Sequence, residues 1–394
     1  MKNAGNKNSF DFIIAGGGLA GLSLAYHLSN SSLNKLDVLI IDASAKNNND
    51  KTWCYWSAEE DDFSKICEKE WSKIGIQGRD AELQVEEIAP YKYRKIRSED
   101  WYKFVKNHLK AFPNFQFLQA DIEEIHYAGL GTMVETSKGK YLATQKLFDS
   151  ISPFPYDQED PDQLKQHFVG WTIESNFPAF KPEIAHLFDF RLAKGMDAEF
   201  IYFLPTNSHT ALVEHTLFSG ELKNKEYYEE KIKNYLLANF NLGDDDYRIL
   251  EVEEGVIPMK EVNIPQNLHQ KWIKIGTSGG FVKSSTGYSF YQTQKIIQEL
   301  VKNLANKNFD QEVVYKPTFK KWLDATFLEV MEDPTVDSNE IILQLFENNA
   351  PALLLKFLQG ETSTTEDLSV MMKVPKFIFM RAGFPAFFNI LKKN

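Results

Sequence analysis

Phe12-Ile13-Ile14-Ala15-Gly16-Gly17-Gly18-Leu19-Ala20-Gly21 reads as an apolar strand breaking into a glycine turn, and Leu22-Ser23-Leu24-Ala25-Tyr26-His27-Leu28 continues it as a helix. The G-x-G-x-x-G spacing of Gly16, Gly18 and Gly21 gains meaning only at such a strand-to-helix junction. There the first glycine allows the tight turn, the second lets backbone approach a pyrophosphate, and the third lets helix and strand pack closely. The helix N-terminus then faces the negative charge. Outward from the turn, Val38-Leu39-Ile40-Ile41-Asp42 is continuously apolar, as a strand covered on both faces of a parallel sheet should be. It ends in an acid about twenty residues past the loop, which places Asp42 to accept a ribose hydroxyl. A nucleotide-binding βαβ unit is expected over residues 10–42.

The whole chain, at 394 residues, is long for one core, and two or three packed units are expected. Its 44 basic and 55 acidic residues give a formal charge of −11, which argues against a nucleic-acid binder. Cys54 and Cys67 have neither metal-ligand spacing nor a framework of pairs, so no metal is expected and a reducing compartment fits. Residues 1–9 are polar and lack an apolar signal core, and no apolar run approaches the roughly eighteen residues of a membrane span. A cytoplasmic protein is expected.

Lys51-Thr52-Trp53-Cys54-Tyr55-Trp56 sets three aromatics close to the ribose end of the second strand. They either line a pocket for an apolar or cationic species or pack a corner of core. Residues 61–78 read as a charged helix, 83–88 as a strand, and Ser98-Glu99-Asp100-Trp101 as the start of a helix reaching 111. Residues 115–125 and 131–136 alternate around glycine turns, which predicts a small antiparallel meander. Lys146-Leu147-Phe148-Asp149-Ser150 then returns a short strand beside the nucleotide, with Asp149 as a candidate cofactor contact. Residues 168–173, 198–204 and 210–216 read as strands of an antiparallel sheet with one face over a substrate, followed by a charged helix over 224–239.

A second glycine-rich stretch, Gly276-Thr277-Ser278-Gly279-Gly280, again sits between a strand and a helix. Two such turns imply a large cofactor gripped from both ends by Gly16, Gly18, Gly21 and Gly276, Gly279, Gly280, and FAD fits better than NAD. Beyond 306 the chain reads as helical. Its tail from Met371 is apolar and aromatic with only basic charges, in an otherwise acidic protein. It either lies on an anionic lipid interface or packs on the body as a helix pair. Pro375 and Pro385 argue against one long helix there.

Six blocks in order resemble the bacterial and plant lycopene cyclases: Thr52-Trp53-Cys54-Tyr55-Trp56, Phe188-Asp189-Phe190-Arg191, Phe200-Ile201-Tyr202-Phe203-Leu204-Pro205, Leu212-Val213-Glu214-His215-Thr216, Gly255-Val256-Ile257-Pro258-Met259, and the stretch from Gly276 to Thr286-Gly287-Tyr288-Ser289-Phe290. The resemblance implies an α/β fold with a glutathione-reductase-like FAD domain (1–80, 96–155 and 255–305), an α+β antiparallel-sheet substrate domain (81–95 and 156–254) and a helical C-terminal region (306–394). Its implied activity is the non-redox cyclisation of the linear ends of lycopene and related carotenoids to β-rings. Reduced FAD is the implied cofactor, NAD(P)H a possible external reductant, and the inner face of a membrane the peripheral docking surface. Two positions depart from the family pattern: His215 stands where a second acid or other polar group is usual, and Ile151 follows Ser150 where an Arg-containing turn is expected.

Such a cyclisation needs a carboxylic acid kept protonated near neutral pH, which burial among apolar groups achieves. Glu214, in a strand with Ala211, Leu212 and Val213, is the candidate catalytic acid. His215 must face the opposite side of a regular strand and reads as structural or solvent-facing. Arg191 either pairs with Asp189 or holds a cofactor edge, and a surface ion pair is the plainer reading. The rival readings are a flavin hydroxylase or prenyl reductase of the same fold, or a lipid escort without catalysis.

Overall fold

The computed structural model describes residues 8–153, 160, 163–261, 267–269, 271–306 and 318–392. The N-terminal part runs β1 (Ser9–Ala15), α1 (Leu19–Ser29), β2 (Val38–Asp42), β3 (Thr52–Ser57), β4 (Lys69–Trp71), β5 (Lys73–Gln77), β6 (Gln84–Glu87), β7 (Lys92–Arg97), α2 (Ser98–Leu109) and β8 (Phe115–Gln119). The middle adds β9 (Ile122–Tyr127), β10 (Thr132–Thr136), β11 (Gly139–Asp149), β12 (Lys165–Ser175), β13 (Ile184–Asp189), β14 (Ala198–Pro205), β15 (Thr210–Ser219), α3 (Lys225–Phe240) and β16 (Tyr247–Pro258). After β17 (Asn267–His269) and β18 (Trp272–Lys274), a tight turn over Gly276–Gly279 leads to α4 (Phe290–Ala305). The C-terminal helices are α5 (Thr318–Met331), α6 (Ser338–Asn348), α7 (Pro351–Leu358), α8 (Thr364–Met371) and α9 (Lys376–Lys392).

The apolar runs that open the chain become the centre of the first sheet, ordered β17-β18-β11-β1-β2-β8. β1 pairs in parallel with β2 and β11, and β2 with β8, so the expected βαβ unit is present. The meander is smaller than expected. Phe115–Gln119 pairs in parallel with β2 instead, and β9 and β10 alone hang antiparallel from β11. A half-buried edge strand alternates in the same way whichever direction it runs, so alternation alone could not separate the two.

The helix expected over 61–78 is absent. A short turn at Ser64–Ile66 is followed by β4 and β5. Lys73-Ile74-Gly75-Ile76-Gln77 has period two, with Ile74 and Ile76 fully buried, while its flanking charges give the composition of a solvated helix. β5 belongs to the second sheet, ordered β16-β12-β15-β14-β13-β5-β6, so that sheet takes a strand from ahead of residue 81. The expected boundary at 155–156 lies outside the described residues.

Alternation along β15 assigns the two faces of the second sheet. Val213 and Leu217 pack with Tyr228, Ile232 and Tyr235 of α3. Leu212 and Phe218 point the other way, into a core shared with Leu328, Ile342, Leu354 and Val370 of the C-terminal helices. The site lies on this second side, where the sheet, the C-terminal helices and the nucleotide unit meet. β3 and β7 form a third, small sheet with β4. Trp53 and Tyr55 face α4 through Phe290, whereas Trp56 stacks near Tyr93 and Tyr288.

At the C-terminus α9 runs through Pro385, against the expectation that the prolines would divide this segment. Pro375 stands before the helix, where a missing N–H is harmless, and Pro385 forgoes the bond to the Arg381 carbonyl. Packing compensates: Ala382 and Ala386 are buried, and the Trp322 indole on α5 donates to the Gly383 carbonyl at 2.9 Å. Among the described residues no helix is long and apolar enough to cross a membrane.

Candidate active site

The first glycine turn is shaped as its spacing requires. Gly16 has φ +100°, a conformation side chains rarely adopt, and a β-carbon at Gly21 would lie 1.9 Å from the Gly16 carbonyl oxygen. α1 can approach the turn so closely only because residue 21 is glycine. Gly18 faces open space, with nothing within 4 Å of its side-chain position. Asp42 sits at the end of β2 as expected and also braces the turn, accepting from the Gly17 amide at 2.7 Å and the Ser44 amide at 2.8 Å.

The second glycine turn is brought against the first: a β-carbon at Gly276 would lie 3.0 Å from the Ala20 β-carbon. Gly276 itself has φ +65° and Gly280 φ +75°, while a β-carbon at Gly279 would come 2.7 Å from the Lys274 carbonyl. Gly279 and Gly280 therefore shape the turn, and Gly276 with Thr277 faces the cavity. Asp149 requires correction as a cofactor contact. It is fully buried, and its carboxylate accepts from the Ile151 and Ser152 amides and, at 3.0 Å, from the Trp272 indole. It builds the turn at the end of β11, and its neighbour Ser150 is the residue that reaches the cavity wall.

One cavity of about 460 Å³ extends from these turns to the second sheet, with Gly18, Trp53, Ser150, Gly276, Glu214 and Glu253 in its walls. Phe168, Phe188, Phe200, Tyr202, Phe218 and Tyr288 give it an aromatic lining. Of the Thr52–Ser57 aromatics, then, Trp53 lines the cavity while Tyr55 and Trp56 are buried core. The Tyr93 hydroxyl hydrogen-bonds those of Tyr202 and Tyr288, tying β7, β14 and the loop before α4 together at one wall.

Glu214 projects from the middle of β15 into this lining and is 8% exposed. Its Oε1 accepts from the Thr216 hydroxyl at 2.8 Å. Burial first, and then the neighbouring Glu253 carboxylate, push its pKa up to about 8. Register explains the neighbour: across the antiparallel ladders Glu214 stands opposite Gly170, and Gly170 opposite Glu253. Directly opposed residues share a face, so the two acids flank a position without a side chain. Glu253 was not singled out from the sequence. It immediately precedes the Glu254-Gly255-Val256-Ile257-Pro258 run, and only the pairing of β16 with β12 reveals it.

On the other face of β15, His215 is fully buried, its Nε2 3.1 Å from Glu199 Oε1. That oxygen also accepts from Lys231 at 2.6 Å and Tyr227 at 3.0 Å. Burial alone would raise Glu199, but the hydrogen bonds from His215 and Lys231 outweigh it and hold the carboxyl at about 2. His215 is a structural residue beneath the site. Arg191 pairs with the buried Asp189, which also accepts from Tyr235 at 2.9 Å, so this ion pair belongs to the α3 core more than to the surface. Neither cysteine is in a disulfide. Glu124, His126 and Glu135 on the meander bring ligand-type atoms within 4.8 Å of one another, and none of the three lines the cavity.

The fold, a glycine-turn α/β unit joined over one cavity to an antiparallel sheet and a helical C-terminal region, is found in solved structures. It is shared with a geranylgeranyl bacteriochlorophyll reductase-like protein from Thermoplasma acidophilum at TM-score 0.64 and 11% identity, over 95% of this chain and 99% of that one. A p-nitrophenol 4-monooxygenase from Pseudomonas putida matches at TM-score 0.59 and 12% identity, over 95% and 98%. A tryptophan 6-halogenase from Streptomyces toxytricini matches at TM-score 0.59 and 12% identity, over 98% and 97%. No curated protein matches the chain significantly. The family model for lycopene cyclase protein matches residues 11–382, and the chain belongs to that family.

Proposed function

We propose that the protein is an FAD-dependent lycopene β-cyclase that closes the linear ends of lycopene and similar carotenoids into β-rings without net oxidation. Membership of the family supports the substrate class. The observation that carries the reaction type is Glu214, a carboxyl held up at about 8 by burial in the wall of an aromatic cavity. At neutral pH such a group is a neutral acid able to protonate an alkene. Because Thr216 donates to Oε1, the acidic proton of Glu214 belongs on Oε2. The aromatic lining excludes water from the carbocation and offers it electron-rich faces. A glutathione-reductase-like arrangement would set the pyrophosphate of FAD against Gly16, Gly18 and Gly21 with Asp42 near the ribose, and the flavin near Gly276 and Thr277. Bound in its reduced form, the cofactor would supply further negative charge beside the cation, with NAD(P)H as an external reductant.

The substrate resides in a membrane, and the tail supports peripheral docking at its cytoplasmic face. Phe377, Met380, Phe384, Phe387 and Phe388 are at least half exposed along α9. Expression in a bacterial host that accumulates lycopene should yield cyclic pigment, and Glu214→Gln should retain flavin yet leave lycopene unchanged. Folded, flavin-loaded wild-type protein with unaltered lycopene would sink the reading.

A second reading, a flavin hydroxylase or prenyl reductase, has its own support: the solved structures sharing the fold include a reductase-like protein, a monooxygenase and halogenases, and taken by themselves they favour redox chemistry. Steady NAD(P)H consumption coupled to product would establish it. Cyclisation would consume no NAD(P)H beyond the initial reduction of the flavin.

A further inference from the structure

Closing a ring at constant oxidation level moves two protons, one onto the terminal alkene and one off the ring. A protonated Glu214 meets only the first demand. Resting on the cyclase reading, we propose that Glu253 is the catalytic base: it takes the proton lost by the cyclised cation and returns one to Glu214 across Gly170.

Three observations meet at this point. Glu214 and Glu253 come from different strands, β15 and β16, yet both line the cavity and both register on Gly170 of β12. Glycine inside a long strand is unfavourable and usually marks a close approach. Here a β-carbon would lie 3.3 Å from the Glu214 β-carbon and 3.3 Å from the Glu253 γ-carbon, so both acids lean into the space glycine leaves. Finally, the surroundings of the two acids differ. Glu214 is buried beside Leu212, Phe200 and Phe218 with no cation among its neighbours, whereas Glu253, although desolvation raises it too, is half-buried and has the Thr52 hydroxyl and the charges of Lys95 and Lys51 opposing that rise in favour of its carboxylate. Lys95 is nearly buried and is fixed by Glu68 at 2.9 Å. Unequal environments around paired carboxyls separate an acid from a base.

The step balances. The Glu214 proton bonds to the CH carbon of the terminal alkene using its π pair, leaving a tertiary cation. The π pair of the neighbouring double bond forms the ring C–C bond and moves the positive charge onto the ring. A ring C–H bond then breaks, its electrons become the new double bond, and its proton passes to the Glu253 carboxylate. No electrons are gained or lost. One proton transfer from Glu253 to Glu214 restores the starting state.

The test gives lycopene in phosphatidylcholine–phosphatidylglycerol vesicles to reduced, flavin-loaded protein in D2O, and reads deuterium in product and in recovered lycopene by mass spectrometry. Wild type should place at most one deuterium in each ring, falling short of one to the extent that the proton Glu253 returns to Glu214 has not exchanged with D2O. Glu253→Gln should form rings about a hundredfold more slowly or worse, while recovered lycopene gains deuterium because protonation still occurs and reverses. Glu253→Asp should regain part of the rate, and Glu214→Gln should lose both rings and exchange. Wild-type ring formation by Glu253→Gln overturns the assignment, as does loss of both readouts with a normal flavin spectrum and melting temperature. If the Gln variant fails to hold flavin, Glu253→Asp decides: slowed rings with retained exchange support the base, and an unchanged rate overturns it. Wild-type protein giving neither rings nor exchange removes the cyclase reading and the base together, a result distinct from an active Glu253→Gln.

Discussion

A carboxyl group proposed to protonate an alkene near neutral pH must remain neutral there, and the environment that raises Glu214 does so at the expense of stability. Burial and Glu253 raise it from 4.5 to about 8. Between those values the folded protein holds a proton that the unfolded chain releases. Its contribution is therefore neutral below pH 4.5, and stability falls as pH rises towards about 8. Glu214→Gln should remove that slope: the denaturant midpoint of wild type should drop more between pH 5 and pH 8 than that of the variant. Equal drops would mean that Glu214 is ionised throughout. A family block alone marks Glu214 in the sequence, and the structure sets His215 on the opposite face, as strand alternation requires. Glu253 was not legible, since its meeting with Glu214 depends on two long-range ladders through Gly170. Asp149 misled for a physical reason: an acid at a strand end can hold a ligand or cap its own turn, and here the Ile151 and Ser152 amides claim it.

Elements were legible where local pattern and tertiary environment agree. The apolar residues of β1 and β2 are buried, so their runs had one reading. β5 and β16 were harder, because charges flanking a short strand, or alternating along an edge strand, give the composition of a solvated helix or loop. α9 reads both ways at once. Ala382 and Ala386 pack inward, while Phe377 is 82% and Phe384 72% exposed. An exposed aromatic stripe with Lys376 beside it suits an anionic bilayer surface, while Arg381 is paired with Asp333. Burying a phenylalanine contributes about 1.5–3 kcal/mol, so Phe377→Ser and Phe384→Ser should each weaken binding to phosphatidylglycerol vesicles about tenfold or more. Vesicle co-sedimentation measures this, and an unchanged melting temperature separates it from misfolding. Undiminished binding by the double variant would place the membrane contact elsewhere.

Across the whole molecule, the helical C-terminal region shares its core with the substrate sheet. One apolar cluster joins Trp56, Tyr93, Phe200 and Leu212 to Leu328, Ile342 and Leu354, and the Trp56 indole donates to the Leu355 carbonyl at 3.0 Å. The nucleotide side is tied in by charge. Lys283, just past the second glycine turn, donates to both Asp324 carboxylate oxygens of α5 at 2.5 and 2.7 Å, and Ser285 adds a bond at 2.8 Å. Both charged side chains are only 9% exposed, so solvent screens them little. Asp324→Asn keeps the shape but removes the negative charge that Lys283 faces, and disrupting a buried pair in this way costs about 3–5 kcal/mol. If the parts form one cooperative unit, the loss should lower the midpoints of flavin release and of far-UV circular dichroism together. Replacing both partners, as Lys283→Met with Asp324→Leu, should recover most of the stability, since no charge is then left buried. Flavin release that moves while the circular dichroism midpoint stays fixed would instead show the second glycine turn opening independently of the C-terminal helices.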